Sequence, residues 1–246
     1  MDLQGPTIRR KAVWSGQGFN FSPGLAEDAA SKRSRKRAHS RKKAQLAASK
    51  STPAPAQRME QVAVVGAGQM GLGIAQTLAA SAGLSVVLVD ISDDVLAAAV
   101  ETIAAALGRD VGKGRMTEDE AAAALGRISC ANSSEGYGAL AGADLVLEAV
   151  PEILELKESI LQAIVAAAKP DALIVSNTSS ISMTKLAAFL PKERRPQFAG
   201  LHFFNPVPVM KLVEVRLLRP HQCTEKPLLL PRFCSRSWHS RSASVR

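Results

Sequence analysis

At 246 residues and 46% apolar content, the chain has material for one large domain or two small ones around a real core. The roughly 18 uninterrupted apolar residues of a membrane-spanning helix are nowhere approached, because Asp144, Glu148 and Glu152 break the most apolar stretches. The net charge of +9 is uneven: residues 1–58 carry 13 Lys/Arg against 3 acids, residues 216–246 carry 7 against 1, and residues 59–215 carry 11 against 18. Basic ends thus flank an acidic middle, and with no recognition module and no interleaved aromatics, nucleic acid is not an expected partner.

The three cysteines, Cys130, Cys223 and Cys234, have no metal-type spacing, so no metal site is expected. Their odd number and the lack of a secretory leader point to a reducing compartment, the cytoplasm, with the mitochondrial matrix as the alternative.

Residues 1–58 hold the basic runs Ser31–Arg37 and Arg41–Lys43 and the stretch Thr52–Ala56, with no sustained apolar period. They read as a disordered basic tail or linker. The basic run suits a nuclear or nucleic-acid signal, a degenerate organelle-targeting leader or plain solvated charge. From Gln61 the pattern changes to β-branched runs alternating with Ala/Leu-rich stretches, as in βαβ units. In chain order it predicts strand Gln61–Val65, helix Gln69–Ala82, strand Ser85–Asp90, helices Asp93–Leu107 and Glu118–Leu125, and strands Arg127–Cys130 and Leu145–Val150. Helix Ile153–Ala168, strand Leu173–Ser176, helix Met183–Phe189 and strands Phe198–His202 and Lys211–Val215 follow. Runs such as Val62–Val65 and Val86–Val89 are apolar on both faces, as a parallel sheet covered by helices on both sides requires. The expected domain is 59–215, an α/β, Rossmann-type doubly wound and mostly parallel sheet. Residues 216–246 read as an irregular tail.

Four clusters carry chemistry. The first, Val62-Ala63-Val64-Val65-Gly66-Ala67-Gly68-Gln69-Met70-Gly71, sets G-x-G-x-x-G between a strand and a helix. In a dinucleotide site Gly66 makes the tight turn, Gly68 lets the backbone approach the pyrophosphate, and Gly71 lets helix and strand pack closely. Asp90 ends the next strand, nineteen residues after Gly71, where a carboxylate can take the adenosine ribose hydroxyls and favour NAD over NADP. Its competing reading is a cap for the following helix.

The second cluster runs from Gly200 to Val215. Two strands joined by a proline-bearing turn can set His202 beside Glu214, twelve residues on, as a general base with its orienting carboxylate. A lone histidine near a strand is more often structural. The third cluster, Ser176-Asn177-Thr178-Ser179-Ser180, follows a strand at the carboxyl edge; it could hold a substrate oxygen or cap the helix starting near Ser182. The fourth, Glu148 to Lys157, offers Glu152 and Lys157 to a cofactor, or leaves them as solvated helix charges.

Together and in this order the four clusters resemble the 3-hydroxyacyl-CoA dehydrogenase family, including its 3-hydroxybutyryl-CoA members, and the run G-L-H-F-F-N-P-V-P-V-M-K-L-V-E-V is close to a family signature. The resemblance implies a catalytic dyad of His202 and Glu214, with Ser179 also on the substrate's 3-oxygen. It implies Gly66, Gly68, Gly71, Asp90, Glu152 and Lys157 around NAD, and reversible oxidation of an (S)-3-hydroxyacyl-CoA to the 3-oxoacyl-CoA in fatty-acid or butanoate metabolism. The family continues into a helical domain that supplies much of the acyl-CoA pocket and the homodimer interface, and nothing in Arg216–Arg246 resembles it. The expectation is therefore a truncated member with impaired activity, whose side chains near Phe203, Phe204, Val207 and Val209 lie bare. The competing readings are a non-catalytic NAD-binding fragment and another Rossmann hydroxy-acid dehydrogenase.

Overall fold

A computed structural model describes residues 59–210 and 212–218 in full and, as backbone, residues 8–14 and 19–21. The basic runs of the N-terminal tail, the Thr52–Ala56 stretch, Lys211, Cys223, Cys234 and the tail beyond Leu218 lie outside the described residues.

The central region forms strands β3 (Gln61–Val65), β4 (Ser85–Asp90), β5 (Ile128–Asn132), β6 (Leu145–Glu148), β7 (Leu173–Ser176), β8 (Phe198–Phe203) and β9 (Leu212–Leu217), preceded in the chain by β1 (Ile8–Trp14) and β2 (Phe19–Phe21). Helices α1 (Gln69–Ser81), α2 (Asp93–Gly112), α3 (Glu118–Gly126), α4 (Leu154–Ala167) and α5 (Met183–Ala188) connect them. Every strand and helix expected between Gln61 and Val215 is present, with ends moved by a few residues. The largest extension is that of α2, which runs on to Gly112 past the expected Leu107.

In space the strands lie in the order β2-β1-β9-β8-β7-β6-β3-β4-β5. Strands β5, β4, β3, β6, β7 and β8 pair in parallel, and β9 closes this run antiparallel to β8. The chain order reverses between β3 and β6, and this switch point opens a crevice at the carboxyl ends of the strands, where doubly wound sheets bind ligands. The tail residues contribute what the sequence reading did not expect: β1 pairs with β9 from Ile8–Leu217 to Val13–Leu212, and β2 pairs with β1. The physical reason is that an edge strand offers a row of unpaired backbone groups to any extended segment, whatever its apolar period.

Burial follows the strand period of two. Val62 and Val64 face one core with Ile74, Leu78, Leu96 and Ile103 of α1 and α2. Ala63 and Val65 face another, with Leu161 and Ile164 of α4 and Leu186 of α5. The helices are started by their own side chains: Ser92 Oγ accepts from Val95 N–H at the head of α2, and Thr117 with Glu120 forms a reciprocal cap on α3.

The closest backbone approach is at Gly71 in α1, where a Cβ would stand 1.7 Å from the Gly66 carbonyl oxygen; at Gly68 it would meet nothing within 4 Å. Gly71→Ala is therefore expected to lower stability by about 3 kcal/mol or more through forced backbone movement, whereas Gly68→Ala leaves it within about 1 kcal/mol. Urea unfolding of the two variants checks this, and equal midpoints would refute the packing role of Gly71.

Candidate active site

The turn from β3 into α1 is made by Gly66 at φ +101°, a conformation open to glycine. Gly66 N–H donates to the Val89 carbonyl at 2.7 Å, and a Cβ on Gly66 would lie 2.8 Å from the Ala149 carbonyl oxygen, so the turn is pressed between β4 and the end of β6. The N-terminus of α1 carries no side-chain cap and no acid in its first turn. A Cβ at Gly68 would meet nothing within 4 Å, and Gly68, Gln69 and Met70 line a cleft, so the positive end of the helix dipole borders open space that suits a phosphate. Asp90 Oδ2 accepts from Ala67 N–H at 2.8 Å and Oδ1 from Ser92 N–H at 3.3 Å. Since Ser92 is the cap of α2, the capping alternative for Asp90 falls away.

A cleft of about 760 Å³ runs from this loop across the sheet edge; Gly66, Gly68 and Asp90 line one side, and Glu152, Ser179 and His202 the other.

On that second side a charge network organises the loops. Lys157 and Glu148 are only 1% and 0% exposed at their side chains, and Lys157 Nζ reaches Glu148 Oε1 at 2.6 Å, Glu152 Oε2 at 3.1 Å and the Val150 carbonyl at 3.2 Å. Glu148 also accepts from Ser176 Oγ at 2.6 Å and from Val150 N–H at 2.9 Å, so the buried carboxylate is fully paired. Glu152 Oε1 accepts from Thr178 Oγ1 and Ser179 N–H, both at 2.7 Å, with the Ser179 hydroxyl at 3.3 Å. Partial burial works to raise the pKa of the Glu152 carboxyl, but the Thr178 and Ser179 donors and the Lys157 charge outweigh it and hold the group down at about 2.

The antiparallel pairing of β8 with β9 sets His202 directly opposite Glu214. His202 Nδ1 lies 3.4 Å from Glu214 Oε2, and the same oxygen accepts from Arg216 Nη2 at 3.1 Å. Burial of the Glu214 carboxyl pushes its pKa up, yet Arg216 and His202 together hold it below the ordinary carboxylate range. The His202 ring tilts against Phe204 with centroids 4.5 Å apart. Backbone Phe203 N–H donates to Asn177 Oδ1 at 2.9 Å, which ties the histidine strand to the Ser176–Ser180 loop.

The structure thus gathers Gly66, Gly68, Asp90, Glu152, Ser179, His202 and Glu214 at one edge, with Gly71 behind the turn. Lys157 is not brought to the cleft: its ammonium is buried beneath Glu152, which removes the reading as solvated helix charge and leaves it holding Glu152 in place. The Ser176–Ser180 hydroxyls do not cap α5 either, whose N-cap residue is Ser182, with no side-chain capping bond. Of the four side chains expected to lie bare, Phe203 and Val207 are buried, Val207 against the backbone of α1 at Gly73, while Val209 is 69% exposed.

The sequence reading quoted Glu148 without assigning it a part and placed Arg216 in the tail. A glycine inside a strand marks close approach of a neighbour, and Gly200, in register with Arg216, was the available signal. Among the described residues no group of His, Cys, Asp and Glu could hold a metal ion, and no helix is long and apolar enough to cross a membrane.

The family model described as 3-hydroxyacyl-CoA dehydrogenase, NAD binding domain, matches residues 61–226. A 3-hydroxybutyryl-CoA dehydrogenase of Bradyrhizobium diazoefficiens is 46% identical over 157 residues, 64% of this chain and 52% of that relative. The mitochondrial hydroxyacyl-coenzyme A dehydrogenase of Mus musculus is 42% identical over 161 residues, 64% of this chain and 50% of its own. The crystal structure of (S)-3-hydroxybutyryl-CoA dehydrogenase from Ralstonia eutropha superposes with a TM-score of 0.58 at 47% identity, covering 62% of this chain and 52% of that one. The chain spans about half the length of these relatives. With the family model covering most of the chain, and the glycine loop and the His202–Glu214 pair in place within it, the chain belongs to the 3-hydroxyacyl-CoA dehydrogenase family, of which residues 61–226 are the NAD-binding domain.

Proposed function

We propose that the cleft binds NAD and that the chain catalyses the reversible oxidation of an (S)-3-hydroxyacyl-CoA to the 3-oxoacyl-CoA. The observation that carries this reading is the opposition, across one cleft, of an uncapped glycine-turn helix and a carboxylate-paired histidine. NAD, when bound, accepts the hydride that leaves carbon 3 of the substrate.

His202 takes the hydroxyl proton as the carbon–oxygen bond becomes a carbonyl. Its Nδ1 is turned to Glu214, so Nε2 is the nitrogen offered to substrate. Glu214, held ionised by its neighbours, stabilises the imidazolium that forms and keeps the ring oriented. The Ser179 hydroxyl, which donates to Glu152 Oε1 at 3.3 Å in the structure, turns its single proton to the substrate's 3-oxygen. Gly66 and Gly68 receive the pyrophosphate at the head of α1, and Asp90 takes the adenosine ribose, where its charge disfavours a 2′-phosphate. An acyl-CoA substrate, homodimerisation through the family's helical domain and a reducing compartment, cytoplasm or mitochondrial matrix, complete the reading. Its support is the resemblance to bacterial 3-hydroxybutyryl-CoA and mouse mitochondrial relatives.

The test is NADH consumption by the purified chain on addition of acetoacetyl-CoA. His202→Ala is expected to lower kcat about 10²–10⁴-fold. Turnover that survives the change would remove His202 as the base, and absence of turnover in a parent chain that still binds NADH would leave NAD binding alone. Asp90→Asn should weaken NADH roughly tenfold or more, with NADPH affected less, as titrated by nucleotide fluorescence; equal losses for both nucleotides would contradict a ribose contact.

The carboxyl of Glu152 sits at about 2 in the folded chain against about 4.3 in an unfolded one. Its ionised form therefore stabilises the fold above about pH 4, and that contribution is lost as pH falls toward 2. Glu152→Gln should flatten this segment of the stability curve, followed by denaturant midpoints, and an unaltered slope would mean that the Thr178 and Ser179 donors do not hold the carboxylate.

A further inference from the structure

Arg216 is only 6% exposed, in a strand beside the cleft. Its guanidinium forks between two parts of the site: Nη2 donates to Glu214 Oε2 at 3.1 Å, and Nη1 donates to the Ser179 carbonyl at 3.1 Å and the Thr178 carbonyl at 3.4 Å. Its aliphatic stem lies over Gly200 in β8, where a Cβ would stand 3.1 Å from Arg216 Cβ and 2.8 Å from Met183 Sδ. The absence of a side chain at Gly200 is what admits the arginine. Among the described residues the ionisable side chains bonded to the Glu214 carboxylate are His202 and Arg216, of which Arg216 carries a permanent charge.

We propose that Arg216 is a positioning residue, a clamp that ties the carboxylate behind His202 to the backbone carrying Ser179 and so sets base and hydroxyl on one frame. The part it is given in catalysis rests on the function proposed above, whereas the clamp itself rests on geometry alone.

Three links follow from the chemistry. The Ser179 and Thr178 carbonyls point toward Arg216 while the Ser179 N–H points toward Glu152, so the loop is gripped from both sides by opposite charges. A planar five-donor group can bridge a carboxylate and two carbonyls at once. A lysine can keep the charge beside Glu214 but has no fork with which to hold both ends.

The test uses two variants of the full chain, Arg216→Met and Arg216→Lys, with two readouts that need no turnover. One is the titration of the Glu214 carboxyl followed by its carbon-13 shift; the other is hydrogen exchange at the Ser180 and Ile181 amides. Arg216→Met should move the Glu214 titration to higher pH and speed exchange roughly tenfold, the loss expected for a charged donor. Arg216→Lys should leave the titration near that of the parent chain and still speed exchange.

If Arg216→Met does not fold, as seen by circular dichroism, the exchange result for Arg216→Lys decides. Parent-like exchange in a folded variant, or a Glu214 titration unmoved in Arg216→Met, overturns the clamp. Where the parent chain turns over, Arg216→Lys should lower kcat severalfold with KM unchanged, and an unchanged kcat would limit Arg216 to holding the fold. A parent chain without turnover refutes the proposed catalysis and leaves both structural readouts in force.

Discussion

An ammonium group taken out of water must be neutralised and its protons bonded, and the way Lys157 meets that demand arranges one whole side of the cleft. Its partners are Glu148 at the end of β6, the Val150 carbonyl in the following loop and Glu152 just before α4. Glu148 in turn draws in Ser176 from β7, and Glu152 draws in Thr178 and Ser179 beyond it. One buried cation thereby joins the ends of two neighbouring strands, the start of a helix and the loop that bears the serine. In an interior of low dielectric such a network is strong when every member is satisfied and costly when one is missing, so these segments hold one arrangement rather than several.

The opposite side of the cleft is set by contact instead of charge. Gly66 and Gly71 let β3 and α1 approach until the turn lies against Ala149, and the helix N-terminus is left without a side-chain cap beside the open space at Gly68. Asp90 then fastens the loop through Ala67 N–H, so the carboxylate expected to meet a ribose also fixes the turn that would meet the phosphates. The two sides meet because the sheet reverses its chain order between β3 and β6, and because β9 returns antiparallel along β8 to carry Glu214 to His202.

The later end of β9 follows from the same antiparallel ladder. The sequence reading ends this strand at Val215, where the run resembling the family signature stops, although Val213, Val215 and Leu217 still alternate with Glu214 and Arg216. The ladder with β8 nevertheless continues to Leu217, because backbone pairing does not depend on side-chain polarity, and the arginine is accommodated by the empty side of Gly200. Likewise β1 was illegible, as its Arg-Arg-Lys run has no strand period, yet β9 presents it with an edge to pair.

The order of strands and helices from Gln61 onward, the parallel and doubly covered nature of the sheet, the glycine turn and the spacing of His202 and Glu214 were determined by the sequence itself. Each depends on local geometry: a period of two or 3.6, a conformation open to glycine, or a register fixed by a short connection. The fate of charged side chains was decided by tertiary structure alone. Glu152 and Lys157 lie within six residues of each other, and nothing in their spacing says that one faces the cleft and the other is buried against Glu148. Arg216 looks like any tail arginine until β8 is placed beside it. Desolvation and pairing are set by what long-range packing brings near, and a linear pattern carries no record of it.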